Sequence, residues 1–108
     1  MIDRDNFIIH TIKRHFNEMN ATLERINDSY DEFIEDLPMR KAIYLDILQI
    51  GENFNHLSDE ILKKIDKKDI RGIIGVRNFI AHGYSELDNK QIWDIAHVEI
   101  PNLIKKLI

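Results

Sequence analysis

The chain has 108 residues, 44% of them hydrophobic, with 19 acidic against 15 basic side chains and a formal net charge of -4. That length predicts one domain, residues 1–108, with a small apolar core, and the acidic balance argues against broad, nonspecific coating of nucleic acid. There is no cysteine, which excludes a disulfide framework and cysteine-based zinc or nucleophile chemistry, and no apolar run long enough for a signal peptide or a membrane span, so the expected address is the cytoplasm.

Helical periodicity runs through the chain. Ile9, Ile12, Phe16, Met19, Leu23 and Ile26 form an apolar seam at alternating spacings of three and four, which predicts one long first helix started by Asp3 or Asp5. Polarity rises at Asn27 and Asp28. Ser29-Tyr-Asp-Glu32 then has the form of a capping box, opening a short helix with Phe33 and Leu37 inward. Pro38 suits the first turn of the next helix, where its missing N–H is no loss. That helix carries Ile43, Ile47, Ile50, Phe54 and Leu57, and Ser58 or Asp59 should kink or restart it before Ile61, Leu62 and Ile65. Asp66 can cap a helix bearing Ile70, Ile73, Ile74 and Ile80, with Gly83 as its stop. Asp88 with Gln91 resembles a further N-terminal cap, followed by Ile92, Ile95, Ile100, Leu103 and Leu107. Pro101 should kink or divide this last helix. No strand, repeat or low-complexity segment is evident. The expected fold is all-α, an antiparallel bundle of four to five helices with short connections.

The histidines do not read as a metal site. His10 and His15 are five apart rather than four, His56 and His97 stand alone, and there is no H-E-x-x-H, so no metal and no cofactor are expected. A phosphate-binding loop and a nucleophile elbow are also absent from the sequence. Gly72 and Gly75 fall inside a predicted helix and suit close helix approach. Lys63, Lys64, Lys67, Lys68 and Arg71 crowd into nine residues, a run that reads first as a solvated helix face.

The chemistry concentrates in RNFIAHGY, Arg77 to Tyr84. Asn78 and His82 are four apart and share a helix face, so the amide can orient the imidazole. Arg77 and His82 are five apart, roughly 140° around a regular helix, and converge only near the helix end. A histidine in a last turn is favoured in its protonated form by the helix dipole and suits proton transfer near neutral pH. Arginine supplies a planar charge that grips phosphate oxygens through two bonds. Together they offer a proton shuttle and a charge for a pentacoordinate phosphorus centre without a metal. Glu52 interrupts the apolar stretch LDILQIGENF and calls for a cationic partner, for which Arg77 is the candidate; otherwise it extends to solvent. The plain alternative is a cap and salt-bridge network at a helix end.

RNFIAHGY matches the R-x4-H-x-Y motif of the HEPN superfamily, with the common asparagine directly after the arginine. The surroundings resemble one branch of it, the HepT-like toxins: QIGEN is similar to that family's I-G-E segment, IIGVRN to its I-I-G-x-R-N lead-in and QIWDI to its W-x-I segment. The likeness is best from about Met39 to Leu103. It implies a HEPN-like homodimer whose two motifs meet in a cleft, and a metal-independent endoribonuclease toxin of a type VII toxin–antitoxin pair, acting on an RNA substrate. Arg77 and His82 would be the active pair with Asn78 and Glu52 in support, and the RNA's own 2′-hydroxyl would attack. The implied partner is an MntA-like nucleotidyltransferase antitoxin that adds AMP to Tyr84. The alternative from another class is a non-catalytic nucleotide-binding or adaptor subunit of a nucleotidyltransferase.

Overall fold

A computed structural model of the chain describes residues 3–82 and 88–107, His82 through its backbone alone. Gly83, the expected helix stop, and Tyr84 lie outside the described residues. Helix α1 spans Asp3–Arg25 and buries Ile8, Ile9, Ile12, Met19 and Leu23, with Ile26 just beyond it. Phe16 of the predicted seam is only partly buried. The helix ends in two left-handed residues, Asn27 at φ 57° and Asp28 at φ 50°, types that tolerate this conformation. The Asp28 N–H returns to the Leu23 carbonyl at 2.8 Å, the long bond of a Schellman stop.

Asp5 departs from its expected role. It is fully buried, and instead of serving the start of α1 it accepts the Ser58 N–H at 2.9 Å and the Ser58 hydroxyl at 2.6 Å. These two bonds hold its carboxyl below the usual range, and they satisfy a carboxylate that burial would otherwise penalise.

Helix α2 is short, Tyr30–Glu35, and Ser29 caps it by accepting the Glu32 N–H. The other half of the expected capping box is missing: the Glu32 carboxylate takes the Asn27 side-chain amide, and the Ser29 N–H goes to the Ile26 carbonyl. Phe33 is fully buried as expected, but Leu37 is 45% exposed. The chain re-caps at Asp36, whose carboxylate accepts the Met39 N–H, so Leu37 opens the next helix beside Pro38 and turns outward.

That helix, α3, runs Leu37–Phe54. Ile43, Ile47, Ile50 and Phe54 are fully buried and Leu57 nearly so, each contributing about 1.5–3 kcal/mol of apolar burial. It lies antiparallel to α1, since the Asp5–Ser58 and His15–Asp46 contacts pair ascending positions of one with descending positions of the other. Ser58 restarts the chain as α4, Asp59–Leu62, and Asp66 accepts the Lys68 N–H to open α5, Lys67–His82. Ile73 and Ile80 of α5 are buried.

Asp88 caps α6, Asn89–Asp94, through the Lys90 and Gln91 amides. Pro101 then has a visible effect. Residues Ile95–Glu99 widen into a π-helical turn, in which the Ile100 N–H reaches back to the Ile95 carbonyl, and α7 follows as Ile100–Leu107. A proline ring crowds the carbonyl four residues earlier and offers no N–H, and a wider turn relieves both problems. Trp93 packs on Tyr30 and Phe33, and the Tyr44 hydroxyl donates to Asn89 at 2.5 Å, pinning α6 to α2 and α3. Lys106 pairs with Asp69, joining the end of α7 to the start of α5. The result is an all-α bundle with no strand among the described residues, and no described helix is long and apolar enough to cross a membrane.

Candidate active site

The site is built where α3 crosses α5. Helices normally keep their axes apart by the width of their side chains, but here α3 presents Gly51, so its backbone lies directly on the stem of Arg77. Glu52, the next residue, is then carried to the edge of the crossing, about a third exposed, as is Arg77. The Arg77 Nε donates to Glu52 Oε2 at 2.5 Å, and Nη1 donates to the Asn78 side-chain oxygen at 2.6 Å. Glu52 therefore pairs with Arg77, as the apolar context of that carboxylate required. The guanidinium bond holds the Glu52 carboxyl below its usual value, with a smaller contribution from His56.

Two of the three guanidinium nitrogens are fixed by these bonds, and Nη2 makes no hydrogen bond or ion pair among the described residues. A planar cation oriented in this way, about a third exposed, is suited to an anionic oxygen. The Asn78 side-chain oxygen accepts from Arg77, and the expected contact of its amide with the His82 ring lies outside the described residues. The His82 backbone closes α5 one turn beyond; the positions of its side chain and of Tyr84 are outside the described residues.

His56 joins this group, although the sequence left it alone. Its Nε2 lies 3.3 Å from Glu52 Oε1. The signal was available in the spacing, because Glu52 and His56 stand four apart and meet on one helix face. Gly51 entered the sequence reading only as part of the QIGEN segment; its contact with Arg77, 26 positions further along, is not encoded in any local spacing.

His15 and His97 have other partners. His15 Nδ1 is 3.0 Å from Asp46 and 3.5 Å from Glu18, a trio that could offer three donors to a cation. Asp46 is buried, which pushes its carboxyl up, and His15 answers it across the α1–α3 seam. His97 bridges Asp28 and the Trp93 carbonyl. Of the basic run, Lys63, Lys64, Lys67, Lys68 and Arg71 are all exposed. Arg71 shares the outer face of α5 with Asn78, one helical repeat of seven away.

The family described as Ribonuclease HepT-like matches residues 12–108. The chain is 29% identical over 90 residues to the protein named "Putative RNase MJ0127" of Methanocaldococcus jannaschii, covering 82% of this chain and 74% of the relative. It is 29% identical over 91 residues to "Putative RNase TTE0752" of Caldanaerobacter subterraneus subsp. tengcongensis, covering 83% and 81%. No solved structure gives a significant match. With nearly its whole length inside the family's bounds and the arginine motif on the helix that crosses Gly51, the chain belongs to the Ribonuclease HepT-like family.

Proposed function

We propose that the protein is a metal-independent endoribonuclease and the toxin of a toxin–antitoxin pair. The observation that carries this reading is Arg77, whose guanidinium is fixed by Glu52 and Asn78 with one nitrogen unbonded among the described residues, five residues before the His82 position. Arg77 grips the scissile phosphate and offsets the charge that builds up on its oxygens. His82 moves a proton, and the 2′-hydroxyl of the RNA attacks phosphorus to leave a 2′,3′-cyclic phosphate. Asn78 and Glu52 hold Arg77 in place. Two copies of the chain bring their motifs together, which also gathers the exposed lysines of α5 around one RNA strand. A nucleotidyltransferase antitoxin silences the enzyme by adding AMP to Tyr84, placing bulk and negative charge beside Arg77.

The test is cleavage of RNA by the purified chain in the presence of a chelator, with the product ends analysed. Cyclic-phosphate ends from the parent, and none from Arg77→Ala or His82→Ala of unchanged helicity, support the reading. Full cleavage by either variant would sink it, and clear nucleotide binding without any cleavage would favour the adaptor alternative. For the antitoxin step, intact mass after co-expression with the nucleotidyltransferase should show added AMP that is lost in Tyr84→Phe.

A further inference from the structure

The α1–α3 seam holds a second cluster of polar side chains, apart from the arginine site. His15 and Glu18 stand three apart on α1 and share a helix face, and Asp46 meets them from α3. The His15 Nδ1 lies 3.0 Å from Asp46 Oδ1 and 3.5 Å from Glu18 Oε2. The three atoms fall within 4.8 Å of one another, the one group of three such donors among the described residues. Spacing along the chain pointed away from a metal because the third donor is 31 positions from His15.

Charge and spacing both favour an ion over a closed hydrogen-bond network here. Two carboxylates face one ring nitrogen, which carries at most one hydrogen. Asp46 takes the shorter contact, and Glu18 is left at the outer limit of hydrogen bonding. Asp46 is also buried, where a carboxylate must have its lone pairs satisfied to offset the loss of water. A divalent cation serves both carboxylates at once. Zinc held by nitrogen and oxygen at about 2.0–2.1 Å in a tetrahedron sets its ligands about 3.3–3.4 Å apart, and the two measured separations lie on either side of that value. The His15 and Asp46 side chains are largely buried between two packed helices, whereas Glu18 is 53% exposed, open enough to admit an ion and close on it. An imidazole among the donors favours zinc over magnesium or calcium, which take oxygen. On the far side of the ring, Arg14 Nη2 stands 3.5 Å from Nε2; Arg14 is exposed and turns away when that nitrogen carries the hydrogen.

We propose that His15, Glu18 and Asp46 bind a zinc ion, with water in the fourth position, and that the ion clamps α1 to α3. A site with three protein ligands and one side open to solvent exchanges its ion, so the stability of the bundle follows the zinc supply. Asp46 precedes Glu52 by six residues of α3, about 9 Å of helix rise. The ion takes no part in the cleavage proposed above, and the inference does not depend on that reading.

The test uses the full chain, stripped with a chelator that is then removed, and titrated with Zn²⁺ by calorimetry, with thermal unfolding followed at each step. One ion per chain and a rising unfolding midpoint are expected, and Mg²⁺ in excess should give neither. Co²⁺ in place of zinc should show the visible absorption of a four-coordinate ion. His15→Ala, Glu18→Gln and Asp46→Asn should each weaken zinc binding by at least the roughly 10–100-fold that loss of a mere supporting partner costs. Glu18 is half exposed, so its variant keeps the fold and the test even where a change at buried His15 does not. His10→Ala removes an exposed imidazole from the same helix and should bind zinc as the parent does. Absence of stoichiometric binding, zinc affinity unchanged in Glu18→Gln and Asp46→Asn, or Mg²⁺ acting as well as Zn²⁺ would each overturn the proposal.

Discussion

Gly51 on α3 and Arg77 on α5 meet with no side chain between them: a Cβ on Gly51 would stand 2.6 Å from the Cβ of Arg77 and 3.1 Å from the Ile73 carbonyl oxygen. Neither neighbour is the free end of a flexible chain, so the helices themselves would have to separate. Gly51→Ala is therefore expected to destabilise the fold by about 1–3 kcal/mol, as overpacking does. It should also lower cleavage beyond that loss, because Arg77 moves with α5. Gly72 is the control. It sits on the same helix as Arg77 with nothing within 4 Å of its missing Cβ, so Gly72→Ala should gain about 0.4–1 kcal/mol. Urea unfolding of the two variants beside the parent decides the matter, and equal effects would show that the crossing is not tight.

The Glu52–Arg77 pair gives a pH signature. The bond from Arg77 lowers the Glu52 carboxyl from its ordinary value of 4.5. A carboxyl depressed in the folded state contributes stability that is present above the unfolded value and lost as pH falls through the folded one. Glu52→Gln should therefore be less stable than the parent at neutral pH, and the difference should close as the solution is acidified below the ordinary carboxylate value. Denaturant midpoints at a series of pH values measure this. A gap independent of pH would mean that the pair acts through packing alone.

Ser58 serves two elements. Its hydroxyl accepts the Ile61 N–H as the cap of α4 and donates to buried Asp5 of α1. Ser58→Ala removes both links, and loss of the cap alone costs about 1–2 kcal/mol. Ser58→Asp is expected to be worse than Ser58→Ala, since it restores a capping oxygen but places a second carboxylate against Asp5. Thermal unfolding of the two variants tests the order, and a more stable Ser58→Asp would contradict the Asp5 contact.

What the sequence made legible follows a physical division. Helix seams and caps are local, so Ile43 through Phe54, Asp66, Asp88 and the break near Pro101 were readable from spacing. Arg77 with Glu52 was readable because a carboxylate in apolar surroundings demands a cation. Asp5 with Ser58, and Gly51 with Arg77, join residues 53 and 26 positions apart, and no periodicity encodes which positions meet after α1, α3 and α5 pack. Leu37 turned outward because Asp36 restarted the helix, a competition between two adjacent caps that the hydrophobic pattern alone does not resolve. His56 was a different kind of omission: its partner is four residues away, and the spacing carried the contact.

Asp46 shows the opposite pH behaviour from Glu52. Burial raises its carboxyl, and the bond from His15 offsets this only in part. A carboxyl raised in the folded state gives a contribution that is present below the unfolded value and is lost as pH rises through the folded one. The ionised Asp46 is thus a net burden near neutrality. Asp46→Asn keeps a hydrogen-bonding side chain opposite His15 Nδ1 without the buried charge. It should be at least as stable as the parent at pH 7, with the advantage vanishing on acidification below the ordinary value of 3.8. Asp46→Ala should be destabilised at every pH by about 1–3 kcal/mol, because it leaves the largely buried His15 with only its longer contact to Glu18. Urea unfolding of the three proteins at pH 3 and pH 7 separates these cases, and an Asn variant weaker than the parent at neutral pH would show that the His15–Asp46 attraction outweighs the desolvation of the carboxylate.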